Sequence, residues 1–223
     1  MGMITQIYKG KGDTGHCTNY RGITIISVLS KIYAILLNTR LASFRMESPS
    51  RRARGQGGFL ADHRTADHIF ILQHLIDKYR SSNKPLYSCF VDLSKAFDTI
   101  NRPKLWQRLS DMGIRGCMLA ALQAYYSDVR ECVKTADGLT DDFPSGVGVK
   151  QGCPLSPTLF GLYIDAVEDF ICANVTNGGT VKLHGTPVPC ACMQRSLMCK
   201  MWWRGAAGGC KTCDVCSREA DSG

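Results

Sequence analysis

Asp92 closes an apolar run of strand formers from Leu86 to Val91, within the stretch Phe90-Val91-Asp92-Leu93-Ser94-Lys95-Ala96-Phe97-Asp98. A carboxylate at the end of a buried strand can hold a hard divalent cation. Mg²⁺ takes oxygen ligands and is usually bound by one or two carboxylates together with substrate phosphates. An Asp that caps the following helix is the competing reading of the same position. Cationic groups stand elsewhere in the chain. Lys9 and Lys11 lie in a basic glycine-rich turn, and Arg21 in Asn19-Tyr20-Arg21-Gly22-Ile23. Arg51, Arg52 and Arg54 sit among Pro, Ser and Gly between Ser48 and Gly58, either as phosphate contacts or as a solvated charge run. Thiols form a third group, Cys210-x-x-Cys213-x-x-Cys216, with Cys199, Cys192 or His184 as a further ligand. Structural zinc sites prefer two Cys pairs separated by a longer loop, which this spacing does not match.

Composition narrows the partners. The 223 residues carry a net charge of +8, which favours an acidic partner such as nucleic acid. Twelve cysteines would fit a disulfide framework in a small secreted protein. Met1 to Lys11 has no apolar signal core, and no apolar run is long enough to span a bilayer. The cysteines therefore read as reduced thiols of an intracellular protein, nuclear or cytoplasmic. From Cys190 onward they crowd together with no apolar period, so a boundary is expected there. The expected division is a folded unit over 1–189 and a disordered Cys-rich tail over 190–223.

The elements that must position these groups follow from periodicity. Ile4 to Tyr8 predicts a strand, and Ser27 or Ser30 to Phe44 a helix with Leu29, Ile32, Tyr33, Leu36, Leu37 and Leu41 on one face. Thr65 is an expected N-cap for a helix facing inward with Ile69, Leu72, Ile76 and Tyr79. Asn101 and Pro103 open a helix that buries Leu105, Leu109 and Met112 and stops at Gly113; another spans Gly116 to Ser127. Asp137-Gly138 marks a hairpin between Val129–Thr135 and Asp141–Val149. Ser156 and Pro157 start a helix with Phe160, Tyr163, Val167 and Phe170 or Ile171 inward. Val181 to Leu183 is a last strand, with a turn at Gly185-Thr186-Pro187. Strands separated by helices predict an α+β fold whose antiparallel sheet is covered by helices.

Four stretches taken together resemble a known family. They are Lys9 with Tyr20-Arg21-Gly22-Ile23, Gln56-Gly57-Gly58-Phe59, Phe90 to Asp98, and Gly148-Val149-Lys150-Gln151-Gly152-Cys153-Pro154-Leu155-Ser156-Pro157. In this order they resemble the reverse transcriptase domain of non-LTR (LINE-type) retrotransposons, over about residues 4 to 189. The resemblance implies the fingers and part of the palm of a right-hand polymerase fold, acting on an RNA template, a DNA primer and deoxynucleoside triphosphates. It implies that Asp92 binds both Mg²⁺ ions of a two-metal site, which stabilise the attacking and leaving oxygens of phosphoryl transfer. Arg21 is implied to contact the incoming triphosphate, helped by Lys9 or by Lys11, the latter with a solvated lysine as its alternative. Arg offers the phosphates a planar fork and Lys a point charge. Phe97 matches the aromatic that crowds the sugar 2′ position, with a plain core Phe as the alternative. Gln151 and Gly152 match the turn beside the nascent base pair. Gln56 and Phe59 belong to a structural motif. The family usually carries proline where Gly22 stands.

The resemblance fails downstream. The family places an Ala-Asp-Asp hairpin after a segment like Val181-Lys182-Leu183-His184-Gly185, and those two aspartates complete the metal site. Here Pro189-Cys190-Ala191-Cys192 follows, and no Asp or Glu occurs between Asp169 and Asp214. One carboxylate cannot hold two Mg²⁺ ions against their mutual repulsion. The expectation is therefore a truncated reverse transcriptase domain without polymerase activity of its own. The alternatives are a non-catalytic RNA-binding remnant, or a zinc-binding module in the tail.

Overall fold

A computed structural model of the chain describes residues 1–47, 57–59, 63–86, 93, 95–174, 181–183 and 186–188. The predicted strand before Asp92, Arg51 to Arg54, Gln56 and the Cys-rich tail lie outside the described residues.

The sheet begins as a hairpin. β1 (Gly2–Tyr8) pairs antiparallel with β2 (Tyr20–Ile25), from Tyr8 opposite Tyr20 to Met3 opposite Ile25. β3 (Arg130–Thr135) lies on the other side of β1 and runs parallel to it, Gly2 opposite Glu131 and Ile4 opposite Val133. A parallel pairing needs a long crossover, and the helices between β2 and β3 supply it. β4 (Gly138–Leu139) and β5 (Phe143–Pro144) both return antiparallel to β3. The architecture is thus mixed helix and sheet, with a sheet that is mostly antiparallel and contains one parallel pair among the described strands. β2 was not anticipated from sequence, because Gly22 interrupts its apolar alternation. The expected long return strand from Asp141 to Val149 is broken into short pieces followed by a turn.

Among the described residues five α-helices accompany this sheet, and helices cover it. α1 (Val28–Glu47) buries Ala34, Leu37 and Leu41, while Leu29, Ile32, Tyr33 and Leu36 are exposed. Four of the six residues predicted to face inward therefore point out, and the buried stripe follows Ala34, Leu37 and Leu41 at intervals of three and four. α2 (Thr65–Ser81) starts one residue earlier than a Thr65 cap requires. Arg64 is the N-cap residue, and its backbone N–H donates to Asp67 Oδ2 at 2.7 Å. This helix buries His68 and Leu75; Ile69 and Ile76, predicted inward, are exposed. Isoleucines on several sides of α2 concealed the true face.

α3 (Arg102–Asp111) matches expectation. Asn101 Oδ1 accepts from Lys104 N at 2.9 Å, Leu105 and Leu109 are buried, and Gly113 takes a left-handed φ of +92° past the end. α4 (Gly116–Ser127) also lies where predicted and contributes Leu122 and Tyr126 to the core. α5 (Ser156–Asn174) buries Leu159, Leu162 and Ile164 together with Leu155 just before it. Phe170, predicted inward, is exposed. Ser156 is itself helical, and its hydroxyl donates back to Lys150 O at 2.8 Å instead of capping the first turn. Each fully buried leucine in this core contributes about 1.5–3 kcal/mol relative to exposure.

β6 (Val181–Leu183) is present as predicted. Thr186 and Pro187 belong to its partner β7 (Thr186–Val188), Pro187 opposite Lys182, not to a turn.

Candidate active site

Two segments distant in sequence are laced together by backbone hydrogen bonds. Val149 N donates to Phe97 O at 2.8 Å, and Gly148 N to Ile100 O at 2.8 Å. Gly148 has φ +76°, and a Cβ there would lie 2.6 Å from Asp98 O and 2.8 Å from Phe97 O. Only glycine permits this closure. On the opposite side Gln151 O accepts from Thr24 N of β2 at 2.7 Å. Gly152, at φ +109°, would place a Cβ 2.9 Å from Thr24 O and 3.4 Å from Ile23 Cγ2. The sequence argument assigned this glycine to close approach by nucleic acid; the approach of β2 already demands it.

The Gln151–Gly152 turn thus rests on the strand that carries Arg21. Side chains alternate along a strand, so Arg21 projects from the same face as Ile23, two residues from the contact with Gly152. Arg21 is exposed, and among the described residues its guanidinium has no hydrogen-bond or ion-pair partner. Lys9 follows the end of β1, and its N–H donates to Asn19 O at 2.8 Å. Its ammonium donates to Thr18 O at 2.6 Å, which ties it to the hairpin instead of leaving it free. The hairpin loop is further ordered by Tyr8 Oη on Gly12 O, Asn19 Nδ2 on Asp13 O at 2.6 Å and Tyr20 Oη on Thr14 O at 2.9 Å. Tyr8 and Tyr20 meet across the pair at 5.5 Å between ring centroids.

Phe97 is half-buried. It stacks on Phe160 of α5 at 5.0 Å with an interplanar angle of 19°, and meets Phe59 edge-on at 5.9 Å. Phe59 reaches this cluster with a left-handed φ of 57°. Phe97 is thus packed within an aromatic cluster with Phe160 and Phe59.

Three charged side chains that sequence reasoning passed over complete the surroundings. Arg102, the first residue of α3, is buried and donates to four carbonyls: Gly148 (2.8 Å, from Nε), Ser145 (2.6 Å) and Tyr126 (3.3 Å) from Nη1, and Val147 (3.2 Å, from Nη2). It also lies over the Tyr126 ring at 5.1 Å. Lys150 sits over the Tyr125 ring at 5.1 Å, and burial lowers its pKa, opposed by Cys153 and Glu131. Glu131 is buried and accepts from Thr24 Oγ1 at 3.2 Å. Tyr125 bonds Ser30 Oγ at 3.0 Å and lies 3.6 Å from Cys153 Sγ; burial, the largest cause, pushes its phenol up to about 12. Lys150 was visible beside Gln151 in the motif. Arg102 gave no signal, because its role depends on a loop forty residues away.

Asp98 extends this polar region. Burial raises its carboxyl above the usual range, helped by Glu131 and opposed by Lys95 and Lys9. Asp98 and Glu131 do not form a metal cradle: among the described residues no group of three or more His, Cys, Asp or Glu side chains converges. Asp92 lies outside the described residues. The Gln151–Gly152 turn is linked to Phe97 through Val149 and to β2, the strand that carries Arg21, through Thr24, with Lys9 at the hairpin end.

Comparison with known proteins identifies the family. The family described as "Reverse transcriptase (RNA-dependent DNA polymerase)" matches residues 7–178. A protein of transposon TX1 from Xenopus laevis is 29% identical over 171 residues, covering 76% of this chain and 12% of the relative. The Pol polyprotein of the type-2 retrotransposable element R2DM from Drosophila melanogaster is 31% identical over 150 residues, covering 66% of this chain and 13% of the relative. The chain therefore spans about an eighth of the length of these relatives. A solved telomerase from Candida albicans, in complex with a fragment of telomeric RNA, superposes with a TM-score of 0.52 at 15% identity, covering 82% of this chain and 36% of that one. That likeness shows a shared fold. The chain belongs to the reverse transcriptase family, as a domain of the non-LTR retrotransposon type.

Proposed function

We propose that this chain is the fingers and partial palm of a non-LTR reverse transcriptase that binds an RNA template, a DNA primer and the phosphates of a deoxynucleotide, and does not polymerise by itself. The observation that carries the reading is the hydrogen bond from Thr24 N to Gln151 O at 2.7 Å, which seats the Gln151–Gly152 turn on the strand bearing Arg21. In this reading Arg21 takes the triphosphate and Lys9 adds positive charge beside it. Phe97 excludes a ribose 2′-hydroxyl, and Gln151 with Gly152 line the nascent base pair. A Mg²⁺ pair would supply charge stabilisation to both oxygens of the displacement. The donor set does not fit two ions: Asp92 is the single candidate ligand, and no acidic residue occurs between Asp169 and Asp214.

Primer extension on an RNA template with Mg²⁺ tests the inactivity; template-dependent synthesis that disappears in Asp92→Asn would overturn it. Fluorescence anisotropy with a labelled RNA–DNA hybrid tests the binding. Affinity is expected to fall steeply with salt, because neutralised phosphates release counterions, and to drop several-fold in Arg21→Ala. Salt-independent binding, or none, removes the nucleic-acid reading.

A further inference from the structure

We infer that Arg102 is the positioning residue for the Gln151–Gly152 turn, acting from the start of α3 through the carbonyl groups of residues 145–148. The inference rests on the proposed function, in which that turn faces the nucleotide.

The guanidinium of Arg102 is 6% exposed by residue and spends all three of its nitrogens on carbonyl oxygens. Three of those carbonyls, Ser145, Val147 and Gly148, belong to one short segment. Gly148 at the end of that segment is packed against Phe97 and Asp98, but residues 146 and 147 make little use of packing to hold their shape. Val147 is 64% exposed, and a Cβ on Gly146 would meet nothing within 4 Å. Their conformation is therefore set from below, by a planar fork that fixes several acceptors at once. A charged donor strengthens each bond, and a fork loses less freedom per bond than a flexible ammonium.

From this anchored segment the chain passes directly into the turn. Gly148 and Val149 donate to Ile100 and Phe97, and Gln151 accepts from Thr24. Arg102 itself follows Asp98 by four residues. One side chain thus joins the segment after Asp92 to the turn that carries Gln151, so the two sequence motifs are held in one frame. Burial lowers the pKa of Arg102, opposed by Tyr126 and then Glu131.

Amide hydrogen exchange followed by NMR on the full chain tests this. In Arg102→Ala the amides of Gly148, Val149 and Thr24 are expected to exchange about tenfold faster, the equivalent of one lost charged hydrogen bond. Thr24 is the discriminating reporter, since it touches Gln151 and not Arg102. Millimolar ethylguanidinium is expected to slow these three amides again, whereas ethylammonium is not, and the amides of Leu159 and Leu162 in α5 should be unaffected throughout. Unchanged exchange at the three sites, or uniform acceleration across the chain with no recovery, overturns the inference. Should Arg102→Ala fail to fold, Arg102→Lys keeps the charge without the fork. Faster exchange at Thr24 with α5 unaltered then supports the inference, and wild-type exchange at Thr24 overturns it. Binding of the RNA–DNA hybrid by the unsubstituted chain is measured alongside. Its absence counts against the proposed function, while the amides judge Arg102 independently.

Discussion

Arg45 on α1 and Asp165 on α5 form a buried ion pair: Nη2 donates to the two carboxylate oxygens at 2.8 and 3.1 Å, and the side chains are 3% and 1% exposed. Gly161 makes room for it, since a Cβ there would lie 2.9 Å from Arg45 Nη1. Removing one partner of such a pair strands the other charge in the interior. Asp165→Ala is expected to cost about 3–5 kcal/mol in urea unfolding, whereas the double substitution Arg45→Met with Asp165→Leu should recover most of that. A single-substitution loss below about 1 kcal/mol would show that the pair is solvated and not buried.

The glycines of the turn differ sharply in what they tolerate. Gly148→Ala and Gly152→Ala each combine a left-handed backbone with a carbonyl oxygen inside 3 Å, and each is expected to destabilise by about 1–3 kcal/mol or more. Gly146→Ala meets open space at an ordinary φ, so its effect should stay within about 0.5 kcal/mol. Equal losses at all three positions would contradict the backbone geometry.

Adjacent leucines on α1 provide a test of which face is inward. Leu36 is 58% exposed and Leu37 4%. Leu37→Ala should cost about 2–5 kcal/mol through the cavity it leaves. Leu36→Ala should fall within about 0.5 kcal/mol. Circular-dichroism melts of the two variants separate the faces, and a reversed order would mean that the helix is rotated.

Asp98 gives the fold a pH signature. Its folded pKa is raised, chiefly by burial, so its ionised form is disfavoured in the folded chain. The sign follows: its contribution to stability is complete below the unfolded carboxyl value of 3.8 and is lost as pH rises through the folded value. Asp98→Asn should therefore melt higher than the parent at neutral pH, by less than about 1 kcal/mol because the carboxyl is only partly covered and solvent still screens it. The advantage should shrink as pH falls and vanish near pH 3.8. An advantage that grows on acidification would refute the assignment.

Local chemistry was legible in the sequence where one residue type carries the structure by itself. The cap at Asn101, the stop at Gly113 and the span of α4 came from such signals. Faces of α1 and α2 were misjudged because both helices carry aliphatic residues on more than one side, and only the neighbouring elements select which are covered. β2 escaped because an edge strand with a central glycine lacks the alternation that marks a half-buried strand. Arg21, Phe97, Gln151 and Gly152 could be nominated from motif spacing, but not the contacts that link their segments. Those contacts depend on Thr24, Ile100 and Arg102, whose parts are played by backbone atoms or by reach across the fold.

The bond from Thr24 N to Gln151 O has a corollary for position 22. Amide groups two apart on a strand point the same way, so the N–H of Gly22 also faces outward, away from β1. An imino acid at that position would forfeit no rung of the β1–β2 ladder. The proline usual in the family and the glycine of this chain are therefore interchangeable in pairing. They differ in the pyrrolidine ring that would press toward Ile4 Cγ2, 3.0 Å from where a Cβ would stand, and in the outward donor that glycine retains on the sheet's margin.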